Sequence, residues 1–185
     1  MGFSGFGEVD WQHSQPWDSA AIANWLCPFK CNGKAINPFK ECCCKGKIYN
    51  KEKVKSGVRI CDAWIPGWAP FRHQWVEVDG MGLDSACGSI SPWGNALISD
   101  AQEFVSLPES SKSCSEITLS ECEYDVASYR QGVKDLIKTI LAGVKEDGRH
   151  PDYSYFPGIN QCHQFVDAMA LAPLSAWKRD CKSFS

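Results

Sequence analysis

The residues of this chain best suited to covalent chemistry are a thiol and an imidazole. Cys162 lies in Gly158-Ile159-Asn160-Gln161-Cys162-His163-Gln164-Phe165-Val166-Asp167-Ala168-Met169. Cys162, Phe165, Val166 and Met169 fall at i, i+3, i+4 and i+7, one face of a helix. Asn160 reads as the N-cap, its side-chain oxygen accepting from a backbone N–H of the first turn. Pro157-Gly158 supplies the turn that delivers the chain. A cysteine at a helix start has its thiolate favoured by the macrodipole, which is how a nucleophile is made. The competing assignments for Cys162 are an apolar core residue and one half of a disulfide.

A nucleophilic thiol needs a base that takes its proton and returns it to the leaving group. The histidines are His13, His73, His150 and His163. His163 points about 100° away from Cys162 on a helix and is expected at the surface. His150, before Pro151, and His13, in an N-terminal arm, are expected in solvent. His73 opens Phe71-Arg72-His73-Gln74-Trp75-Val76-Glu77-Val78-Asp79, the clearest strand in the sequence, whose His73 face also carries Trp75 and Glu77. Asp79-Gly80 marks a two-residue hairpin turn, and Met81 to Ala86 return. With that turn, Trp75 pairs with Asp84 and His73 with Ala86, so Asp84 is a diagonal neighbour on the His73 face. A carboxylate there holds the imidazole tautomer, the part played by the third member of a triad. The plainer alternatives are a structural strand histidine and a solvated strand-end aspartate.

The chain has 185 residues, 19 basic and 22 acidic, for a formal net charge of −3, which argues against a general nucleic-acid binder. A single domain over 1–185 is the simplest organisation. No apolar run of spanning length occurs. The first residues lack the basic start and apolar stretch of a cleavable secretory signal. Eleven cysteines are nevertheless present, a density typical of oxidising compartments. The count is odd, and setting Cys162 aside leaves ten, enough for five disulfides. Cys27, Cys31, Cys42, Cys43 and Cys44 also offer enough thiolates for zinc, although their spacing is not that of a zinc ribbon. Both assignments stand at this point.

In chain order, residues 1–17 suggest an extended arm. Asp18 or Ser19 caps a short helix to Leu26. Residues 27–57 form a loop-rich, cysteine-rich insert, with Lys51, Lys53 and Lys55 on a solvated face. Residues 58–65 form a strand, 88–100 a Gly/Ser/Pro loop, and 101–107 a further strand. Val126, Tyr129, Val133, Leu136, Ile137, Ile140, Leu141 and Val144 repeat at helical spacing over about 123–146. An aromatic loop over 151–157 then leads into the Cys162 helix, which Pro173 closes. The class is α+β, a small antiparallel sheet packed against helices.

A strand histidine followed late in the chain by an Asn-Gln-Cys helix resembles the circularly permuted branch of the papain-like NlpC superfamily. His73-x-Trp75-Val76-Glu77-Val78 resembles its histidine strand, Leu83-Asp84 its third-residue position, and Asn160-Gln161-Cys162-x-x-Phe165-Val166 its nucleophile helix. The resemblance covers about residues 58–170. Asp84 departs from the more usual His, Asn or Gln. The last motif also resembles cysteine-rich toxin domains of bacterial contact-dependent and type VI secretion systems, among them peptidoglycan amidases and endopeptidases.

The resemblance implies a papain-like fold and a cofactor-free, metal-free cysteine hydrolase with Cys162, His73 and Asp84 as its catalytic set. Asn160, Gln161 and Trp75 are candidates for oxyanion or substrate contacts. Aromatic residues at 64–70, Trp93 and 153–156 are candidates for the cleft wall. It further implies a secreted monomeric effector acting on peptidoglycan peptides in the periplasm of a target bacterium, with an immunity protein and a secretion carrier as partners, and neither nucleic acid nor membrane among them. Two other classes remain open: a thiol hydrolase or acyltransferase of the same fold acting on protein or lipid, and a non-enzymatic disulfide-rich binding module.

Overall fold

The computed structural model describes residues 29–64, 72–85, 94–155, 162–179 and 181. The arm, the first helix, His13, Cys27, Cys87, Trp93, Asn160 and Gln161 lie outside them. The centre is a six-stranded antiparallel sheet of β5 (Lys53–Trp64), β6 (Arg72–Val78), β7 (Met81–Ser85), β8 (Gly94–Ser99), β9 (Ser113–Ser120) and β10 (Arg149–Tyr155), in the order β10-β8-β7-β6-β5-β9. Two small hairpins precede it: β1 (Lys30–Cys31) with β2 (Lys34–Ala35), and β3 (Glu41–Cys44) with β4 (Lys47–Asn50). The helices are α1 (Gln102–Val105), α2 (Val126–Gly143) and α3 (Cys162–Leu171), with a 3-10 turn over Ala172–Trp177.

The β6–β7 hairpin has the expected register. Val78 pairs with Met81 and Trp75 with Asp84. Asp79 and Gly80 have φ of 51° and 74°, the left-handed pair that a two-residue hairpin turn requires. Arg130 and Lys134 of α2 both bind the Asp79 carboxylate. Arg130 foremost, and Lys134 with it, holds that carboxyl below its ordinary range.

Strand alternation divides the core between the two faces of the sheet. On one face Val58, Val76, Val78, Leu83, Ala96 and Ile98 are buried against Tyr129, Val133, Ile137 and Ile140 of α2 and Val166, Met169 and Ala170 of α3. The Asp125 side chain caps α2, accepting from Ser128 N at 3.1 Å. On the other face Cys61, Ala63 and Trp75 lie under Ala101, Phe104, Val105 and Leu107. His73, Trp75 and Glu77 all belong to this second face.

Among the described residues four disulfides join Cys31–Cys43, Cys42–Cys122, Cys44–Cys181 and Cys61–Cys114. The consecutive cysteines of β3 therefore take three different partners, and as disulfides they offer zinc no thiolate. Nor is this region a self-contained insert, since two of its bridges reach residues 122 and 181. Lys51, Lys53 and Lys55 are exposed as expected.

Several elements differ from the sequence expectation. The 58–65 strand begins at Lys53 and is carried by pairing with β9. Residues 101–107 contain a helical turn because Ser99 Oγ and Asp100 Oδ1 accept from the N–H groups of Ala101 and Gln102, bending the chain locally. Residues 94–99 are a strand that buries Ala96 and Ile98. The expected aromatic loop is β10 as far as Tyr155. It is an edge strand, where Pro151 does not break a ladder needed on both sides. The long helix stops at Gly143, where a Cβ would stand 2.3 Å from His150 Nε2.

Candidate active site

His73 is the second residue of β6 and only 4% exposed. Its Nε2 lies 2.7 Å from Asp84 Oδ2, and Asp84 is 5% exposed. The remaining carboxylate oxygen accepts from Ser99 Oγ at 2.5 Å, and Ser99 Oγ accepts from Ala101 N at 3.3 Å. A chain of hydrogen bonds therefore fixes the carboxylate, and the carboxylate fixes the ring. A carboxylate only accepts, so the tautomer that makes this hydrogen bond is the one protonated at Nε2. The imidazole packs on Phe104 at 4.4 Å between ring centroids, and Phe104 in turn stacks on Trp75 at 5.4 Å.

A second buried carboxylate braces this stack. Glu77 Oε1 accepts from Arg59 Nη2 at 2.5 Å, while Oε2 accepts from Lys112 Nζ at 3.3 Å and Trp75 Nε1 at 3.4 Å. Lys112 Nζ also donates to Val105 O at 3.0 Å, which ties α1 to the sheet. Arg59 holds its proton more firmly than usual, because Glu77 and then Glu109 hydrogen-bond to it. The sequence placed Glu77 on the His73 face, but nothing in it pointed to Arg59, Lys112 or Ser99. All three come from segments whose pairing with this face is visible only in three dimensions.

Cys162 is the first residue of α3. In the same turn, His163 Nε2 approaches Arg72 O at 3.5 Å, so α3 begins beside the residue that precedes His73. Val166, one turn on, is fully buried, and Phe165 packs edge-on against Tyr153 at 5.5 Å. The Cys162 side chain lies outside the described atoms. α3 packs on the face of the sheet opposite His73, and its first turn lies beside the N-terminal end of β6. A cavity of about 200 Å³ opens along α3, lined among others by Ser85, Asp152, Tyr153, Gln164 and Phe165.

Among the other candidates, Trp75 is fully buried and has no surface to offer a substrate. Trp64 is exposed. His163 is exposed, as expected. His150 is not: it is buried in β10 against Tyr153, with Nδ1 accepting from Asp152 N at 3.2 Å. Two clusters, Cys42/Cys44/Cys181 and Cys61/Glu77/Cys114, have metal-like spacing, but every cysteine in them is disulfide-bonded.

No family model, curated protein or solved structure matches this chain.

Proposed function

We propose that the chain is a cysteine hydrolase of the permuted papain-like type, with Cys162 as nucleophile, His73 as general base and acid, and Asp84 as the residue that orients His73. One observation carries the reading: a buried His73–Asp84 pair at 2.7 Å, at the end of the strand against which the Cys162 helix begins.

His73 Nδ1 takes the thiol proton, and the thiolate attacks an amide carbonyl. The imidazolium then protonates the departing amine, leaving a thioester. Water, deprotonated by the same nitrogen, cleaves the thioester to the acid and restores the thiol. Asp84 stabilises the imidazolium throughout. The Cys162 backbone N–H, at the start of α3, is one donor to the oxyanion.

Peptide amide bonds of bacterial peptidoglycan are the proposed substrate, and an antibacterial effector working in a target periplasm is the proposed role. The four disulfides support it, since that compartment is oxidising. An immunity protein and a secretion carrier would be the partners of such an effector. The test is digestion of purified peptidoglycan with mass analysis of the products. New muropeptides from the wild type and none from Cys162→Ala support the reading. An unchanged digest with folded wild-type protein sinks it.

A further inference from the structure

A cluster of basic side chains lies on elements other than those that carry His73. A cavity of about 400 Å³ opens where the β3–β4 hairpin meets the C-terminal segment, and among the described residues Lys45, Lys47, Lys178 and Arg179 line it with one carboxylate, Asp125. Among the described lining residues four cations face one anion, a difference of +3 (4 − 1). Asp125 is already engaged, by the Ser128 N–H and by Arg179 Nη2 at 3.1 Å. Arg179 is engaged too: it lies over the Tyr49 ring at 4.0 Å and donates to Tyr124 O at 3.1 Å. Among the described residues no carboxylate pairs with Lys45, Lys47 or Lys178. Lys47 lies over the Tyr49 ring at 5.4 Å and within electrostatic reach of Asp125, so among the described residues Lys45 and Lys178 are the lysines of this cavity with no carboxylate drawn to them.

The cavity also has a fixed aromatic wall. Trp177 is 39% exposed yet held in place. Its indole lies on Gly132 of α2, where a Cβ would stand 2.6 Å from Nε1. Asp125 N donates to Trp177 O at 3.0 Å, Arg179 N donates to Glu123 O at 2.7 Å, and the Cys44–Cys181 disulfide closes the segment onto β3. An exposed aromatic side chain braced by its neighbours is pre-organised for contact.

We infer that this cavity binds an anionic saccharide, its carboxylate or phosphate met by Lys45, Lys47 and Lys178 and its ring face by Trp177. The lysines supply strong, salt-sensitive attraction to the anion. The indole supplies a flat apolar surface of the kind presented by the C–H face of a sugar. The site is independent of the Cys162 chemistry, so a Cys162→Ala protein keeps it.

The test is calorimetric titration of Cys162→Ala protein with trigalacturonate, with the neutral trisaccharide chitotriose and with inorganic phosphate. Trigalacturonate should bind best, and its affinity should fall steeply toward about 1 M salt, where the screening length is about 3 Å. Lys47→Ala with Lys178→Ala should weaken it at least about ten-fold, the loss of roughly 1.4 kcal/mol or more. Trp177→Ala should reduce trigalacturonate to the level of phosphate. All three positions are exposed, and an unchanged near-ultraviolet dichroism spectrum reports that each variant is folded. Absence of trigalacturonate binding overturns the inference, as does equal binding of chitotriose or indifference to the lysine changes. Phosphate binding as tightly as trigalacturonate would reduce the cavity to a simple anion site and overturn the saccharide assignment.

Discussion

Lys112→Met tests whether the buried charges on the His73 face hold α1 in place. The Lys112 side chain is 2% exposed, and its ammonium donates to Val105 O, Glu77 Oε2 and Glu109 Oε1 at 3.0, 3.3 and 3.2 Å. Methionine keeps most of the stem volume and removes all three donors. The stranded Val105 carbonyl costs about 1–3 kcal/mol. Glu77 keeps Arg59 at 2.5 Å, so it is not left as an isolated charge and the full penalty of about 3–5 kcal/mol for breaking a buried pair does not apply. The expected loss is about 2–3 kcal/mol, read as a lower urea midpoint at unchanged slope and a Tm lowered by roughly 4–10 °C. Lys55→Met is the control. Lys55 is 79% exposed and pairs with Glu116 at 3.5 Å, so its loss should be under about 0.5 kcal/mol. If Lys112→Met costs no more than Lys55→Met, Lys112 is not what ties α1 to the sheet.

Tyr129 Oη donates to Ala170 O at 2.7 Å, and burial pushes its pKa up to about 12. The folded pKa exceeds the unfolded value of about 10, so this contribution is complete below pH ~10 and is lost as pH rises through about 12. Tyr129→Phe should cost roughly 1–2 kcal/mol at neutral pH and flatten the alkaline fall in stability, measured by urea unfolding from pH 8 upward. Replacing Cys42 and Cys122 together by Ser opens a bridge spanning 80 residues. It should cost about 4 kcal/mol in the chain-entropy account, measured by denaturant unfolding. Ser99→Ala removes the 2.5 Å donor to Asp84 and should lower kcat/KM on peptidoglycan by roughly ten-fold, about 1.4 kcal/mol, with the fold intact by near-ultraviolet dichroism.

The parts of this molecule legible in its sequence are those governed by local rules. Asp79-Gly80 names its own turn, the turn sets the register, and the register brings Asp84 to His73. The period of α2 is equally plain, from Val126 to Ile140. Residues 94–99 and 149–155 were hidden because each is a short strand whose pairing comes from outside it, and Pro151 and the glycines around it read as loop signals. Ala101 to Leu107 has strand-like composition, but two side-chain-to-backbone hydrogen bonds turn it into a helical cap over His73. Disulfide partners 80 and 137 residues apart leave no local signature. The same holds for Lys112, which looks like any surface lysine until the fold closes over it.

The pairing of Cys162 with His73 is the central claim, and the pH dependence of Cys162 alkylation tests it most directly. Peptide mass mapping after iodoacetamide treatment of the native, non-reduced protein gives the rate at Cys162 alone. The account predicts a reactive Cys162 whose alkylation inflects well below the roughly 8.5 of an ordinary thiol, an inflection that returns to that value in His73→Ala and stays low in His163→Ala. A Cys162 found in a disulfide, or a profile indifferent to His73→Ala, would contradict it.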